Sequence, residues 1–226
     1  LGPGESVDIG VTFDAGGHGF ELGEYSGNIL IASNDTTVAE AVVSASLNVS
    51  ATEVGGNISG TWTLENSPYL VTQDILLQPS DTLIIEPGVQ VYMNDNLRFD
   101  IYGLLTAEGT ESDSIRFTQY NDYWLSINFS YLADNSSILN YCVIEGAANS
   151  GFAPYFGSIN ANQSHPTITN CTIRNNGFNH DHDRTTCNGI NLAGSNAIIE
   201  NNNFETIVGN GIFSEEGGSP QIRGNT

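Results

Sequence analysis

Apolar and polar positions follow one another in a pattern that recurs along the C-terminal half of the chain. Four segments can be aligned, at 139–144, 168–173, 199–204 and 222–226, and their starts lie 29, 31 and 23 residues apart. Each segment opens with an aliphatic residue, and the three complete ones close with Ile144, Ile173 or Phe204. Self-similarity at such spacings is typical of a chain that winds into successive stacked coils.

A second register supports the same interpretation. An isoleucine precedes each aligned segment by 12, 9, 9 and 10 residues; these are Ile127, Ile159, Ile190 and Ile212. One column of the alignment contains Cys142, Cys171, Asn202 and Asn225. Turn-forming runs such as Ser-His-Pro and Gly-Ser-Asn lie between the registers and favour corners. The pattern therefore predicts a parallel β-solenoid with at least two strands per turn, whereas a β-sandwich would require both registers to agree by accident.

The whole chain is predicted to be all-β. No apolar run with helical spacing is longer than one turn, whereas strands rich in Val, Ile, Thr and Tyr, bounded by Gly, Asn, Asp and Ser, occur throughout. The chain has 226 residues, of which 39% are hydrophobic, enough for one sizeable core or two small ones.

The first 49 residues have a different pattern from the rest. Three segments of alternating polarity, 6–13, 23–33 and 39–49, predict three antiparallel strands, too few to close a sandwich. A stretch rich in Ser, Thr and Gly at 50–60 predicts a linker, and closely spaced strands follow from Thr61. The expected organisation is therefore residues 1–49 as one part, 50–60 as a hinge and 61–226 as the solenoid.

Both parts resemble known families. The order Pro3-Gly-Glu-Ser6, Gly23-x-Tyr25-x-Gly27 and Ile29-x-Ile31 resembles the last half of the immunoglobulin-like modules of bacterial surface proteins. The runs 81–92 and 103–118 resemble the opening coils of secreted bacterial right-handed parallel β-helix proteins. The resemblances imply a partial immunoglobulin-like sandwich followed by a right-handed parallel β-helix. They leave function open, because adhesins, stalks, polysaccharide lyases and hydrolases share such coils.

Charge narrows the range of partners. The chain has 26 acidic and five basic residues, all five of them arginine, for a formal net charge of −21. Nucleic acid is excluded as a partner, because binding to phosphates needs clustered Lys and Arg. The acidic surface suits divalent cations, neutral glycans or solubility in salt, and it would repel a polyanionic glycan unless Ca²⁺ bridged the two.

Cysteines and sequons add little chemistry. The three cysteines, at 142, 171 and 187, have neither zinc-site spacing nor an even number. Cys142 and Cys171 are expected in the core, with their Cα atoms about 4.8 Å apart. That distance permits a disulfide, but the orientation of two inward-facing side chains in register disfavours one.

The chain also contains seven N-x-S/T sequons. Four of them are glycosylation candidates: Asn34, Asn128, Asn135 and Asn162.

The most polar local cluster is the loop Asn179–Arg184. His180 and His182, or Asp181 and Asp183, would point the same way in an extended loop, as ligands for a transition metal or for Ca²⁺. A solvated polar loop explains the same residues. A lyase would need an arginine base beside carboxylates, and Arg174, Asp181, Asp183 and Arg184 are the candidates. Glu145, Glu200 and Glu205 are the carboxylates that stacking could pair for a hydrolase.

Aromatic residues cluster between 120 and 156. Tyr123, Trp124, Tyr155 and Phe156 are the candidates for contact with sugar faces, and packing over the coil is the alternative.

The sequence predicts an extracellular or cell-surface protein with a structural or adhesive role, as a stalk, surface-layer component, filament subunit or glycan-contacting module. The expected partners are copies of itself, other surface proteins or polysaccharide. No cofactor is expected unless Ca²⁺ is bound, and no apolar run is long enough for a membrane span. The competing interpretation is a β-helix lyase or glycoside hydrolase. Both ends are expected to be internal to a longer protein, and strand donation between subunits is a further hypothesis.

Overall fold

The structure is a computed structural model that describes residues 10–11, 22–32, 40–148, 157–177, 187–215 and 217–226. The chain divides into two compact units, residues 1–50 and 51–226. The described residues form strands and one short 3₁₀ helix, Leu64–Asn66, which confirms the all-β prediction. Among the described residues, no helix has the length and apolar character to span a bilayer.

The first unit contains two long antiparallel strands, β1 (Gly23–Ala32) and β2 (Glu40–Val49), paired from Gly23 with Val49 to Ala32 with Glu40. Two of the three strands predicted for this part are thereby confirmed. Nearly all of the third, 6–13, lies outside the described residues. The immunoglobulin-like character of this unit stays a prediction.

The described residues of the second unit form nineteen strands, all joined by parallel pairing. They are β3 (Thr52–Asn57), β4 (Gly60–Trp62), β5 (Tyr69–Leu77), β6 (Thr82–Ile85), β7 (Gln90–Met93), β8 (Arg98–Ile101), β9 (Leu104–Glu108), β10 (Ile115–Gln119), β11 (Ser126–Phe129), β12 (Ile138–Asn140), β13 (Cys142–Glu145), β14 (Gly157–Asn162), β15 (Thr167–Thr169), β16 (Thr172–Asn176), β17 (Asn188–Ala193), β18 (Ile198–Glu200), β19 (Asn203–Ile207), β20 (Ile212–Glu215) and β21 (Gln221–Arg223).

These strands line three faces of a coil. Face A consists of β4, β6, β9, β12, β15, β18 and β21. Face B runs from the start of β5 through β7, β10, β13, β16 and β19, and face C runs from the end of β5 through β8, β11, β14, β17 and β20. Each coil therefore visits faces B, C and A in turn, and β5 passes through the corner between faces B and C.

Both predicted registers are confirmed by the strand pairing. The aliphatic starts of the aligned segments stack on face A, and the preceding isoleucines stack on face C: Leu139, Ile168, Ile199 and Ile222 in one column, and Ile127, Ile159, Ile190 and Ile212 in the other. In each column the first three side chains are fully buried. Successive side chains on a strand alternate between faces, so these positions point into the core. Each aligned segment contains a corner and so contributes two strands, one on face A and one on face B. With the strand on face C, each coil has three strands.

Residues 51–60 belong to the same unit as the solenoid strands. β3 lies in the segment that the sequence predicts to be a linker, and it pairs in parallel with β5, with an irregularity between Val54 and Gly56. The first coil therefore begins before Thr61.

The corner between faces A and B is built from one repeated backbone conformation. Tyr141, Asn170 and Asn201 have φ values of 48°, 54° and 57°, in the left-handed region that Asn tolerates better than most residues. The next residue of each coil is in the predicted column. The side chains of Cys171, Asn202 and Asn225 each accept a hydrogen bond from the backbone N–H of the column residue in the preceding coil. The bonds run from Cys142 N to Cys171 Sγ (3.4 Å), from Cys171 N to Asn202 Oδ1 (2.9 Å) and from Asn202 N to Asn225 Oδ1 (2.8 Å).

The three cysteines are free thiols, and all are buried. Cys142 and Cys171 are members of this hydrogen-bonded column and are not joined by a disulfide. Burial, with the neighbouring Cys171 thiol as a second cause, raises the pKa of the Cys142 thiol well above its ordinary value. Cys142 therefore acts as a neutral core residue.

We expect Asn202→Ala to lower the free energy of unfolding by about 1–3 kcal/mol. The substitution leaves the Cys171 N–H and the Ile168 carbonyl without their partners, at 2.9 Å each, in a buried corner. Urea unfolding measures the loss. Asn162→Ala is the matched control, because Asn162 is exposed and makes no side-chain hydrogen bond to a described residue. Equal losses in the two variants would contradict the role of the column.

We expect alkaline pH to destabilise the protein partly through Cys142. Because its pKa is raised in the folded state, the stability it contributes is complete below the unfolded value of about 8.5 and is lost as the pH rises further. Unfolding in urea at several values from about pH 7 to about pH 10, under reducing conditions, should show a shallower decline for Cys142→Ala than for the unmodified chain. Identical declines would refute this.

Candidate functional site

Part of the chemistry predicted from sequence lies outside the described residues. This applies to His180, Asp181, His182, Asp183 and Arg184, which are the metal and lyase candidates. It applies equally to Tyr155, Phe156 and Asn34. Within the described ranges, no three His, Cys, Asp or Glu side chains come together as a metal-ligand set. The metal, Ca²⁺ and lyase hypotheses for that loop therefore stay predictions.

Arg174 lies in a three-residue ion cluster on the outside of face B, which we call the Glu145 cluster. Arg174 Nε donates to Glu145 Oε2 at 2.8 Å, and Arg116 Nη1 donates to Glu145 Oε1 at 2.7 Å. Glu145 is 12% exposed, whereas the two arginines are 33% and 39% exposed. Both oxygens of the Glu145 carboxylate therefore accept from an arginine, and the carboxylate is largely shielded from solvent.

The repeat brings the Glu145 cluster together. Arg116, Glu145 and Arg174 are in β10, β13 and β16, which are neighbours on face B, and each lies 29 residues from the next. The sequence contained this signal, because 29 residues is also the first repeat spacing. Glu205 pairs with Arg174 in the strand register, whereas Glu200 lies on face A. The three carboxylates named for a hydrolase are therefore not on one face.

The other described arginines have the same kind of partner. Arg98 Nε lies 3.4 Å from Asp74 Oδ2, and Arg223 Nη1 lies 3.6 Å from Glu200 Oε1. In each case the carboxylate belongs to an adjoining coil, as it does for Arg116 and Arg174. Every arginine in the described part of the chain therefore bridges two coils.

Trp124 is a core residue, which contradicts the prediction that it contacts glycan. Its side chain is fully buried, and its indole N–H donates to the carbonyl of Glu145 at 2.8 Å. Trp124 also forms an isolated parallel bridge with Ala147. The ring is enclosed on all sides, and its one hydrogen-bond donor is already paired. No face of the ring is therefore left for a sugar. Tyr123 beside it is half-buried.

A row of polar side chains runs along the outside of face C. Asn128 Nδ2 donates to Asp100 Oδ1, and Asn160 Nδ2 donates to Asn128 Oδ1, each at 2.8 Å. The next residue in register, Asn191, is buried, and its Oδ1 has no hydrogen-bond partner among the described residues. The Nδ2 of buried Asn188 likewise has no partner in the part of the chain that the structure describes.

The described sequon residues differ in accessibility. Asn128 is held within the polar row, with both ends of its amide bonded to neighbours. Asn135 is exposed, but its Oδ1 accepts from the backbone N–H of His165 at 3.0 Å. Asn162 is exposed and has no such bond. As an acceptor of glycan, Asn162 is therefore the best placed of the three, and its modification stays a prediction.

Comparisons with known proteins give a family for most of the chain. A family model described as "Right handed beta helix region" matches residues 57–226. "Protein bark beetle" from Drosophila melanogaster is 32% identical over 65 residues, which make up 29% of this chain and 2% of that protein. The chain therefore spans a small fraction of that relative's length. No solved structure is matched.

We expect Glu145→Gln to lower the free energy of unfolding by about 2 kcal/mol, between the values for buried and exposed ion pairs. The change leaves two half-buried guanidinium groups without a counter-charge. Arg98→Gln is the comparison, because Arg98 is 51% exposed in its pair, and its removal should cost less than about 1 kcal/mol. Thermal and urea unfolding measure both. A smaller loss for Glu145→Gln than for Arg98→Gln would contradict the importance of the cluster.

Proposed function

The chain belongs to the right-handed β-helix family, and from that premise we propose that it is an extracellular or cell-surface protein with a structural or adhesive role. In this role the coils form a rigid scaffold that carries neighbouring modules and presents its outer faces to partners. The immunoglobulin-like character proposed for residues 1–49 fits such a protein as a spacer.

One observation carries the proposal: the four described arginines all bridge adjoining coils. A lyase needs a basic side chain directed at its substrate. Nε of Arg174 instead donates to Glu145, and the second oxygen of that carboxylate is taken by Arg116. The cationic groups of the described chain thus serve coil stacking, as a scaffold requires.

The outer polar row on face C supports the same role. Polar side chains that bond to one another along the coil axis, as those of Asp100, Asn128 and Asn160 do, stabilise the stack. Asp100 and Asn128 are partly exposed, so they give this face a polar surface that is compatible with hydroxyl groups. With a net charge of −21, that surface suits neutral glycans better than acidic ones. Glycan contact is therefore part of the proposal, with Tyr123 as its described aromatic candidate.

The alternative is a polysaccharide lyase or glycoside hydrolase of β-helix type. Its predicted residues Asp181, Asp183 and Arg184 lie outside the described residues, and Arg174 is its described member. The two roles differ in what Arg174 does, and this difference makes them separable.

The test combines electron microscopy of the native extracellular material with a glycan screen of the full chain. We expect regular filaments or sheets, binding to neutral glycans, and no cleavage of acidic glycans with or without Ca²⁺. Arg174→Gln should lower the unfolding temperature and leave glycan binding unchanged. Isolated particles that cleave an acidic glycan, with cleavage lost in Arg174→Gln and retained in Arg98→Gln, which removes an arginine from another pair between coils, would establish the enzyme and overturn the proposal.

A further inference from the structure

Three Asn-Gly pairs occur in the solenoid, and they lie in different surroundings. The pairs are Asn176-Gly177, Asn188-Gly189 and Asn210-Gly211. The first two asparagines are 0% and 1% exposed, whereas Asn210 is exposed, at the corner between β19 and β20. In any such pair the side-chain amide carbon lies close to the backbone nitrogen of the next residue. The three pairs therefore share one possible reaction and differ in how far the fold permits it.

The backbone N–H groups of the three glycines differ in the same way. The N–H of Gly177 donates to the carbonyl of Ala147, and the N–H of Gly189 donates to the carbonyl of Asn210, each at 2.8 Å. Among the described residues, no acceptor is paired with the N–H of Gly211. The nitrogen that would have to react is therefore bonded in the two buried pairs and free in the exposed one.

The side-chain amides follow the same division. Asn176 Oδ1 accepts from the N–H of Ala147 at 2.8 Å, and its Nδ2 donates to the carbonyl of Ile144 at 3.3 Å. Asn188 Oδ1 accepts twice from Asn210, from the N–H at 2.9 Å and from Nδ2 at 3.2 Å. Asn210 therefore has a single side-chain bond to break before its amide can turn toward the following nitrogen.

The corner at Gly211 is also open. A Cβ built on Gly211 would meet the Phe204 ring at 3.4 Å, an ordinary contact, and the φ of Gly211 lies outside the left-handed region. A Cβ built on Gly189 would instead lie 2.6 Å from the carbonyl oxygen of Gly211. An alanine is therefore tolerated at 211, which provides a variant that alters the reaction without straining the fold.

From this contrast we propose that Asn210 is a site of spontaneous deamidation in the folded protein, with water as the co-reactant. The nitrogen of Gly211 attacks Cγ of Asn210; the N–Cγ bond forms as the Cγ–Nδ2 bond breaks, and the proton of that nitrogen leaves with Nδ2 as ammonia. Water then opens the cyclic imide at either carbonyl, which returns a proton to the nitrogen and gives an aspartyl or an isoaspartyl residue. The net reaction converts an amide and water into a carboxylate and ammonium, with no change of oxidation state.

Deamidation at this position weakens the junction between β17 and β20. Nδ2 of Asn210, which donates to Asn188 Oδ1, is replaced by a carboxylate oxygen, so that two acceptors face each other. An isoaspartyl residue also inserts its β-carbon into the backbone just ahead of β20, whose register begins at the pair Ile190 and Ile212. The site is independent of the proposed scaffold role, because neither the Glu145 cluster nor the polar row contributes to it.

The experiment ages the full chain at neutral to mildly alkaline pH, both folded and unfolded in urea. Proteolytic digestion and mass spectrometry measure conversion at each Asn-Gly pair, and chromatography separates aspartyl from isoaspartyl peptides. In urea the three pairs should convert at similar rates. In the folded chain, Asn210 should convert about tenfold faster than Asn176 or Asn188, or more, because a buried and bonded amide reacts only when its coil opens.

Two alanine variants test the role of Gly211. Gly211→Ala should slow conversion at Asn210 about fivefold, because the added Cβ restricts the backbone at the attacking nitrogen. Gly27→Ala is the matched control, since it adds a Cβ in open space within β1 and should leave the rate unchanged. Asn210→Asp, which reproduces the aspartyl product, should unfold at a lower temperature than the unmodified chain.

Three results would overturn the proposal: equal conversion at all three pairs of the folded chain, no conversion at Asn210 over a period in which it converts in urea, or an unchanged rate in Gly211→Ala. An unfolding temperature unaffected by Asn210→Asp would refute the effect on the junction between β17 and β20.

Discussion

Every coil of this structure must satisfy the backbone N–H groups at its corners, where the sheet ladders are interrupted. An unpaired N–H in a buried corner costs about as much as a lost hydrogen bond, and a solenoid repeats that cost once per coil. The chain meets this constraint with side chains placed in columns. Cys171, Asn202 and Asn225 accept from the coil before them, while Asn135, His165 and Asn196 accept the N–H of the coil after them at another corner. The regular stacking of the apolar core depends on these columns, because they fix the register of neighbouring coils.

The same stacking explains where the charges are. Cations are few in this acidic chain, and each described arginine pairs with a carboxylate of an adjoining coil. The Glu145 cluster extends this pairing over three coils. Exposed pairs of this kind contribute little singly, but a carboxylate that is 12% exposed and bound twice contributes more. The ion pairs between coils are therefore aligned with the coil axis.

The solenoid could be predicted because the members of one buried column fall at equivalent positions of the aligned segments. Leu139, Ile168 and Ile199 do so, and they pair as expected. Other features were beyond its reach for physical reasons. Gly55 and Gly56 in β3 resemble a hinge, yet they allow close approach to β5, where a Cβ on Gly55 would meet Gln73 at 2.9 Å. Trp124 follows a polar turn, and only the three-dimensional pairing with Ala147 shows that it points inward. The pairing of Arg174 with Glu145 depends on their spacing and on the outward orientation of Glu145, and only the spacing is visible in the alignment.

The hydrogen bonds between coils all lie roughly parallel to the axis of the solenoid, since the strands themselves run around it. Tension applied along that axis would therefore pull along the hydrogen bonds and break them one coil junction at a time. The load would not be shared among many bonds, as it is when strands are sheared past each other. Resistance to pulling would be set by the weakest junction. The corner columns and arginine bridges tie successive junctions together, and so they would determine how far such an opening can spread before it stops.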